Sequence, residues 1–238
     1  MEWILAIVVP ASFIALFVVE RVAGRTQLRG AALLWVGIAA VAFVVVPGQL
    51  AKHVRSPLAL DERIGRVAGG LVGFVLADLI GYATHRLRHT VPGLWRWHQL
   101  HHSAERVDVA GAAFLHPVDL AIELAGLAVA CAALGLSSDA AAIAAVATWV
   151  ATLVQHTAVR TPSWLGWVIQ RPEAHAVHHA RGVHAYNYGR LMLWDIVLGT
   201  FRNPARFSSD PAGFWDGASR QLGSLLAGRD VGEHRRKR

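Results

Sequence analysis

Lysine occurs only twice in this 238-residue chain and cysteine only once, and charged residues of all kinds make up 16%. Each scarcity excludes something. A lone Cys131 inside an apolar run rules out a disulfide framework within the chain and makes thiolate chemistry a poor expectation. Sixteen per cent charge beside 54% hydrophobic residues is too little water-seeking surface for an ordinary soluble domain, so the chain reads as one membrane-embedded domain over residues 1–238. The basic excess is seven, and four of those charges form the terminal run Arg235, Arg236, Lys237 and Arg238. Outside the histidine clusters no basic patch interleaved with aromatics occurs, which argues against nucleic acid as a partner. A basic tail, residues 220–238, beside membrane spans points to a cytoplasmic, lipid-facing end instead. Arginine-rich, lysine-poor usage leans towards a bacterial plasma membrane. The start, Met1-Glu2-Trp3, lacks the positive n-region of a secretory signal and reads as an anchor.

Long apolar runs are what the chain has in their place. Trp3–Val19, broken by Pro10, is closed by Glu20 and Arg21; Ala31–Val46 ends at Pro47-Gly48. These two runs carry no group able to do chemistry and read as a helical hairpin that anchors. The polar stretch from Gln49 to Arg66 follows, with a solitary His53 read as solvated. A third run, Val67–His85, contains Gly69, Gly70 and Gly73, small residues expected to allow close helix approach and to leave room for a lipid. Residues 118–136 and 140–156 form a second hairpin around Ser137-Ser138-Asp139, a turn with an N-cap. Five spans result, with the N-terminus outside and the histidines inside. The expected fold is all-α: a polytopic membrane bundle with a histidine-rich, two-metal cap on the cytoplasmic side.

Histidine is the other abundance. His85 and His89 stand four apart; His98, His101 and His102 stand at i, i+3 and i+4; His175, His178 and His179 repeat that triplet; and His156 ends the last span. On helices each set projects from one face, so each could close on a metal. Nine imidazoles exceed what one ion uses, and two metals are the economical reading. Asp78, Tyr82, His85 and His89 share one helical stripe, which makes Asp78 a candidate to orient an imidazole. Asn187 and Asp195 are further candidates of that kind. The short apolar piece Leu191–Gly199 is too short to cross and reads as a cap over the metals, with Asp195 turned inward. His116 and His184 are possible additional ligands. Thr200–Arg238 offers no recognisable chemistry.

The boxes in their order, His-three-His, His-two-His-His, a lone histidine after a span and His-two-His-His again, resemble the membrane-bound fatty acid hydroxylase and sterol desaturase family. The likeness extends to Leu94-Trp95-Arg96-Trp97, His116-Pro117 and the stretch from Asn187-Tyr188-Gly189 to Gly199-Thr200, so it covers about half the chain, with the catalytic boxes at residues 78–199. It implies an O2-dependent oxidoreductase with two iron ions, for which zinc could substitute in purified protein. His85, His89, His98, His101, His102, His156, His175, His178 and His179 are the ligands it implies. The implied substrate is a membrane lipid: fatty acyl, sterol-like or carotenoid. The implied electron donor is a separate protein of ferredoxin or cytochrome b5 type. Hydroxylation ranks ahead of desaturation on box spacing. A zinc hydrolase is disfavoured because no His-Glu-x-x-His supplies a general base. A metal carrier is disfavoured because the clusters lie at span ends and not near the midplane.

Overall fold

A computed structural model describes residues 2–23, 30–53, 56–208 and 210–232. Within them the secondary structure is helical, with only isolated bridges between Ile169 and Leu191 and between Ala180 and Ala212. Ten α-helices follow in order: α1 Glu2–Val22, α2 Gly30–His53, α3 Leu60–Ile64, α4 Arg66–Thr90, α5 Pro92–His102, α6 Pro117–Leu134, α7 Ser138–His156, α8 Pro172–His178, α9 Met192–Val197 and α10 Leu222–Leu226.

Helices α4, α6 and α7 are each long and apolar enough to cross a membrane. Helices α1 and α2, of 21 and 24 residues, pack beside them, α1 on α7 and α2 on both α6 and α7. Pro10 does not interrupt α1. Proline forfeits one backbone bond, a loss that a helix packed in a bundle tolerates. The Trp149 indole of α7 donates to the Val9 carbonyl at 3.0 Å and packs on Phe43 of α2, tying α1 and α2 to the bundle.

Glu20 departs from its expected role as a water-facing stop. It is fully buried and accepts from the backbone N–H groups of Val109 and Ala158, so it fastens α1 to the loops over the histidines. The glycines of α4 also differ from expectation in one respect. A Cβ at Gly69 would lie 2.5 Å from Asp61 Cβ, one at Gly70 2.6 Å from Ile143 Cβ, and one at Gly73 2.6 Å from Leu136 Cδ1. Close approach is what they provide; neighbouring helices fill the room expected for a lipid.

Turn chemistry sets the α6–α7 hairpin. Gly135 ends α6 in the left-handed region at φ 63, and Ser137 caps α7 by accepting from Ala140. Buried Asp61 holds the turn from the side through the Ser137 hydroxyl and N–H. The hairpin brings His156 back to the end where α4 carries His85 and His89. The C-terminal stretch is more than polar filler. Phe214, Ala218, Leu225 and Val231 pack on Leu100 and Phe114, and Gln99 exchanges hydrogen bonds with the backbone of Arg229 and Val231. Residues 210–232 thereby brace α5, while the basic run Arg235–Arg238 and His234 lie outside the described residues.

Candidate metal centre

Four helices deliver nine imidazoles to one end of the bundle. Helix α4 contributes His85 and His89 one turn apart, α5 contributes His98, His101 and His102, α7 ends on His156, and α8 contributes His175, His178 and its capping residue His179. Pro92 and Pro172 sit in the first turns of α5 and α8, where a missing N–H costs nothing, so each short helix starts sharply beside the site.

The nine divide into two groups. One nitrogen each from His85, His89, His98, His102 and His178 lies within 4.8 Å of the others, and the same holds for His101, His156, His175 and His179. The groups adjoin: the rings of His102 and His179 stack with centroids 4.2 Å apart. His116 and His184 are in neither group. His116 caps α6 by accepting from Val118, with its other nitrogen 3.2 Å from the Leu226 carbonyl. His184 sits behind the first group, its Nδ1 3.1 Å from His102 Nδ1.

Hydrogen bonds fix which nitrogen faces inward. His98 Nδ1 is 2.7 Å from Asp119 Oδ2, His85 Nδ1 2.8 Å from the Tyr188 carbonyl, His178 Nδ1 2.7 Å from the Tyr186 carbonyl, and His156 Nδ1 2.7 Å from the Thr152 carbonyl. These oxygens accept, so each Nδ1 carries the hydrogen and each Nε2 carries a lone pair. Yet the Nε2 atoms converge. His98 and His178 each bring Nε2 to within 3.1–3.2 Å of His102 Nε2, and His156 Nε2 stands 3.2 Å from His101 Nε2 and 2.9 Å from His175 Nε2. His102 can give one Nε2 hydrogen to only one of these two neighbours, His98 and His178, and the lone pairs left facing each other repel unless a cation lies between them. Nitrogens about 2.1 Å from a shared ion stand roughly 3.0 Å apart at right angles and 3.4 Å at the tetrahedral angle, so these spacings fit ligand polyhedra.

The electrostatics agree. Burial pushes His101 and His178 down to about 3 and holds His98, His102, His175 and His179 well below the usual histidine range, with neighbouring positive groups adding to the effect. Neutral imidazole is the form that binds a metal. The Nε2 atoms of His85 and His89 are buried with no hydrogen-bond partner among the described residues, as an ion-facing nitrogen would be.

The carboxylates and the amide expected to orient the ligands contact backbone groups and not the rings. Asp78 accepts from the backbone N–H groups of Arg190 and Leu191 at 2.9 and 2.8 Å and touches no imidazole. Asp195 accepts from the N–H groups of Tyr188 and Gly189 and from the Thr200 hydroxyl. Asn187 donates to the Ala174 carbonyl of α8 and accepts from Arg202. All three hold the loop 186–191, whose carbonyls then receive His85 and His178. That loop needs holding, because Tyr186 and Asn187 stand at φ 69 and 49, a region costing roughly 1–2 kcal/mol per L-residue. Burial raises the Asp195 carboxyl above its ordinary range, against the pull of its hydrogen bonds.

The carboxylate in direct contact, Asp119, was not singled out by the sequence. It lies in the first turn of α6, and its other oxygen stands 3.1 Å from Arg88 Nε. Arg88 also binds Glu123, and Glu123 binds Arg190 at 2.8 Å, giving a buried chain of alternating charge from Asp119 to the loop. Glu123, an acid inside the apolar run 118–136, was the available signal.

The fatty acid hydroxylase profile matches residues 70–200. An ornithine lipid hydroxylase of Rhizobium tropici is 33% identical over 147 residues, covering 60% of this chain and 44% of that protein. A fatty acid hydroxylase of a Lecanicillium species is 26% identical over 169 residues, 63% of this chain and 46% of its own. Human alkylglycerol monooxygenase is 30% identical over 132 residues, 54% of this chain and 29% of its own. The chain thus spans less than half the length of each of these relatives. No solved structure matches. The matched segment runs from Gly70 to Thr200 and contains all nine converging histidines, and the chain belongs to the fatty acid hydroxylase family.

Proposed function

We propose that the protein is an O2-dependent lipid hydroxylase with two iron ions, one in each histidine group. The observation that carries this is the convergence of imidazole nitrogens into two adjoining sets. Iron, when bound, supplies the oxidant that an unactivated C–H bond requires. The balance is RH + O2 + 2e⁻ + 2H⁺ → ROH + H2O. The electrons come from a separate donor, of ferredoxin or cytochrome b5 type. The relatives named as ornithine lipid hydroxylase and fatty acid hydroxylase favour an acyl-lipid substrate over a sterol or carotenoid.

The chain's own residues have three tasks. The Asp119 carboxylate and the carbonyls of Tyr186, Tyr188 and Thr152 hold hydrogen on Nδ1 and so present Nε2 to the metals. The buried chain of Asp119, Arg88, Glu123 and Arg190 keeps charge in the bundle paired. The apolar helices α2 and α7 exclude water beside the metals and offer a path from lipid. We place the metal end on the cytoplasmic side of a bacterial plasma membrane, with the N-terminus outside. Exposed arginines of the cap, among them Arg106, Arg160, Arg202 and Arg220, support this orientation.

Lipids extracted from cells with and without the gene, grown under 18O-labelled dioxygen, test the reading. A labelled hydroxylipid present only with the gene is expected. An unlabelled, unsaturated product would make the enzyme a desaturase, and identical lipid profiles would remove the oxygenase reading.

A further inference from the structure

A narrow cavity with room of about 50 Å³ runs from the histidines into the bundle. His85, His98, His101, His156 and His175 line its metal end; Ala39 and Phe43 of α2 with Trp149 and Leu153 of α7 line its apolar side. Between them lies a polar band of Arg88, Glu123, Thr152, Gln155 and Arg190.

Most of that band is already committed. Arg88 binds Asp119, Glu123 and Thr84; Arg190 binds Glu123 and Thr152; and the Thr152 hydroxyl donates to the Thr148 carbonyl. Gln155 is different. It is 7% exposed, and its Oε1 is the one buried side-chain oxygen of this wall without a hydrogen-bond partner among the described residues. A buried acceptor left unpaired costs about 1–3 kcal/mol, which native proteins avoid by filling the site with water or a ligand. The cavity has space for a water, whose share of liquid volume is about 30 Å³. Helical spacing sets Gln155 one turn from Thr152 and beside His156, so the acceptor is fixed in register with the metal end.

We infer that Gln155 is a substrate-positioning residue, whose amide oxygen accepts a hydrogen bond from a hydroxyl or amide N–H borne on an unbranched acyl chain close to the carbon that is oxidised. Only the few carbons around the donor enter the cavity, against Phe43 and Trp149, and the hydrogen bond sets which carbon faces the metals. This rests on the hydroxylase reading for its chemistry, but recognition of the donor can be measured without turnover.

Three probes distinguish the source of the donor: N-butyl palmitamide offers an N–H, methyl 3-hydroxypalmitate an O–H, and methyl palmitate neither. Binding to the metal-free protein in detergent is expected to be about tenfold tighter for one donor lipid than for methyl palmitate, and Gln155→Met should abolish the difference. Equal binding of all three to the unaltered protein overturns the inference, as does a preference that survives Gln155→Met. Where Gln155→Met fails to fold, Gln155→Leu and the unaltered protein's preference decide. With metal and reductant, the unaltered protein should give one positional isomer. Gln155→Met should raise KM more than it lowers kcat and give several isomers at unchanged metal content. Loss of metal in Gln155→Met would assign a structural role and overturn the inference. Turnover of no lipid by the unaltered protein would defeat the hydroxylase reading and leave the binding result to stand by itself.

Discussion

The two histidine groups are built from the same residue type yet supported differently. In the group of five, His98 rests on a carboxylate, His85 and His178 on loop carbonyls and His102 on the His184 ring, so four of five rings are oriented by a group outside the site. Among the described residues, His156 alone in the group of four is held in this way, by the Thr152 carbonyl of its own helix, and the Nδ1 atoms of His101 and His175 are buried without partners. A ring oriented by an anion is a better electron donor to a metal and loses less freedom on binding. The ion in the group of five should therefore be the tighter and less replaceable of the two, and the other the more readily exchanged.

The largest expected effect breaks this contrast from the weaker side. His101→Ala leaves three imidazoles in a loosely supported group and should remove that ion and all activity, whereas His178→Ala leaves four and should lose activity while retaining more metal. Elemental analysis of the two purified variants checks this, and equal retention would contradict the asymmetry. Next, Asp119→Asn should weaken only the group of five, by roughly 10–100-fold in affinity. Competition with a chelator, read separately for the two ions, would show a loss in one and not the other.

The loop that supports the first group can be loosened without touching a ligand. Asp195→Ala strands the N–H groups of Tyr188 and Gly189, and should destabilise the protein by about 2–4 kcal/mol in thermal unfolding. The metal-free protein should also be acid-sensitive. His101 and His178 fall from about 6.5 when unfolded to about 3 when folded, so the unfolded chain binds more protons between those values. Stability is fully present above about pH 6.5 and is lost as pH falls towards 3; an unfolding midpoint that stays flat from pH 7 to pH 4 would refute this. Smallest of all, His116→Ala should cost about 1 kcal/mol through the lost cap of α6 and leave metal content unchanged.

The same contrast shows where sequence reading ends. The grouping of the histidines was legible because i, i+3 and i+4 on a helix translate directly into one face, and the long apolar helices were legible because lipid demands continuous apolar runs. What supports the ligands was not. Asp78, Asn187 and Asp195 were noticed, but their contact is with a loop backbone in left-handed conformation, which no periodicity reports. Asp119 is 21 residues from His98, and their pairing depends on how α6 docks against α5. Glu20 looked like a span end because its burial requires Val109 and Ala158, far along the chain, to cover it. Long-range partners of polar groups are a property of packing, and helical spacing carries no record of them.

Counting metal ions on the intact protein by native mass spectrometry, before and after His101 and His156 are both replaced by alanine, tests the account most directly. Two ions per chain falling to one is the result expected of two separate imidazole sets. A single ion in the unaltered protein at saturating iron, or two ions persisting in the double variant, would contradict it.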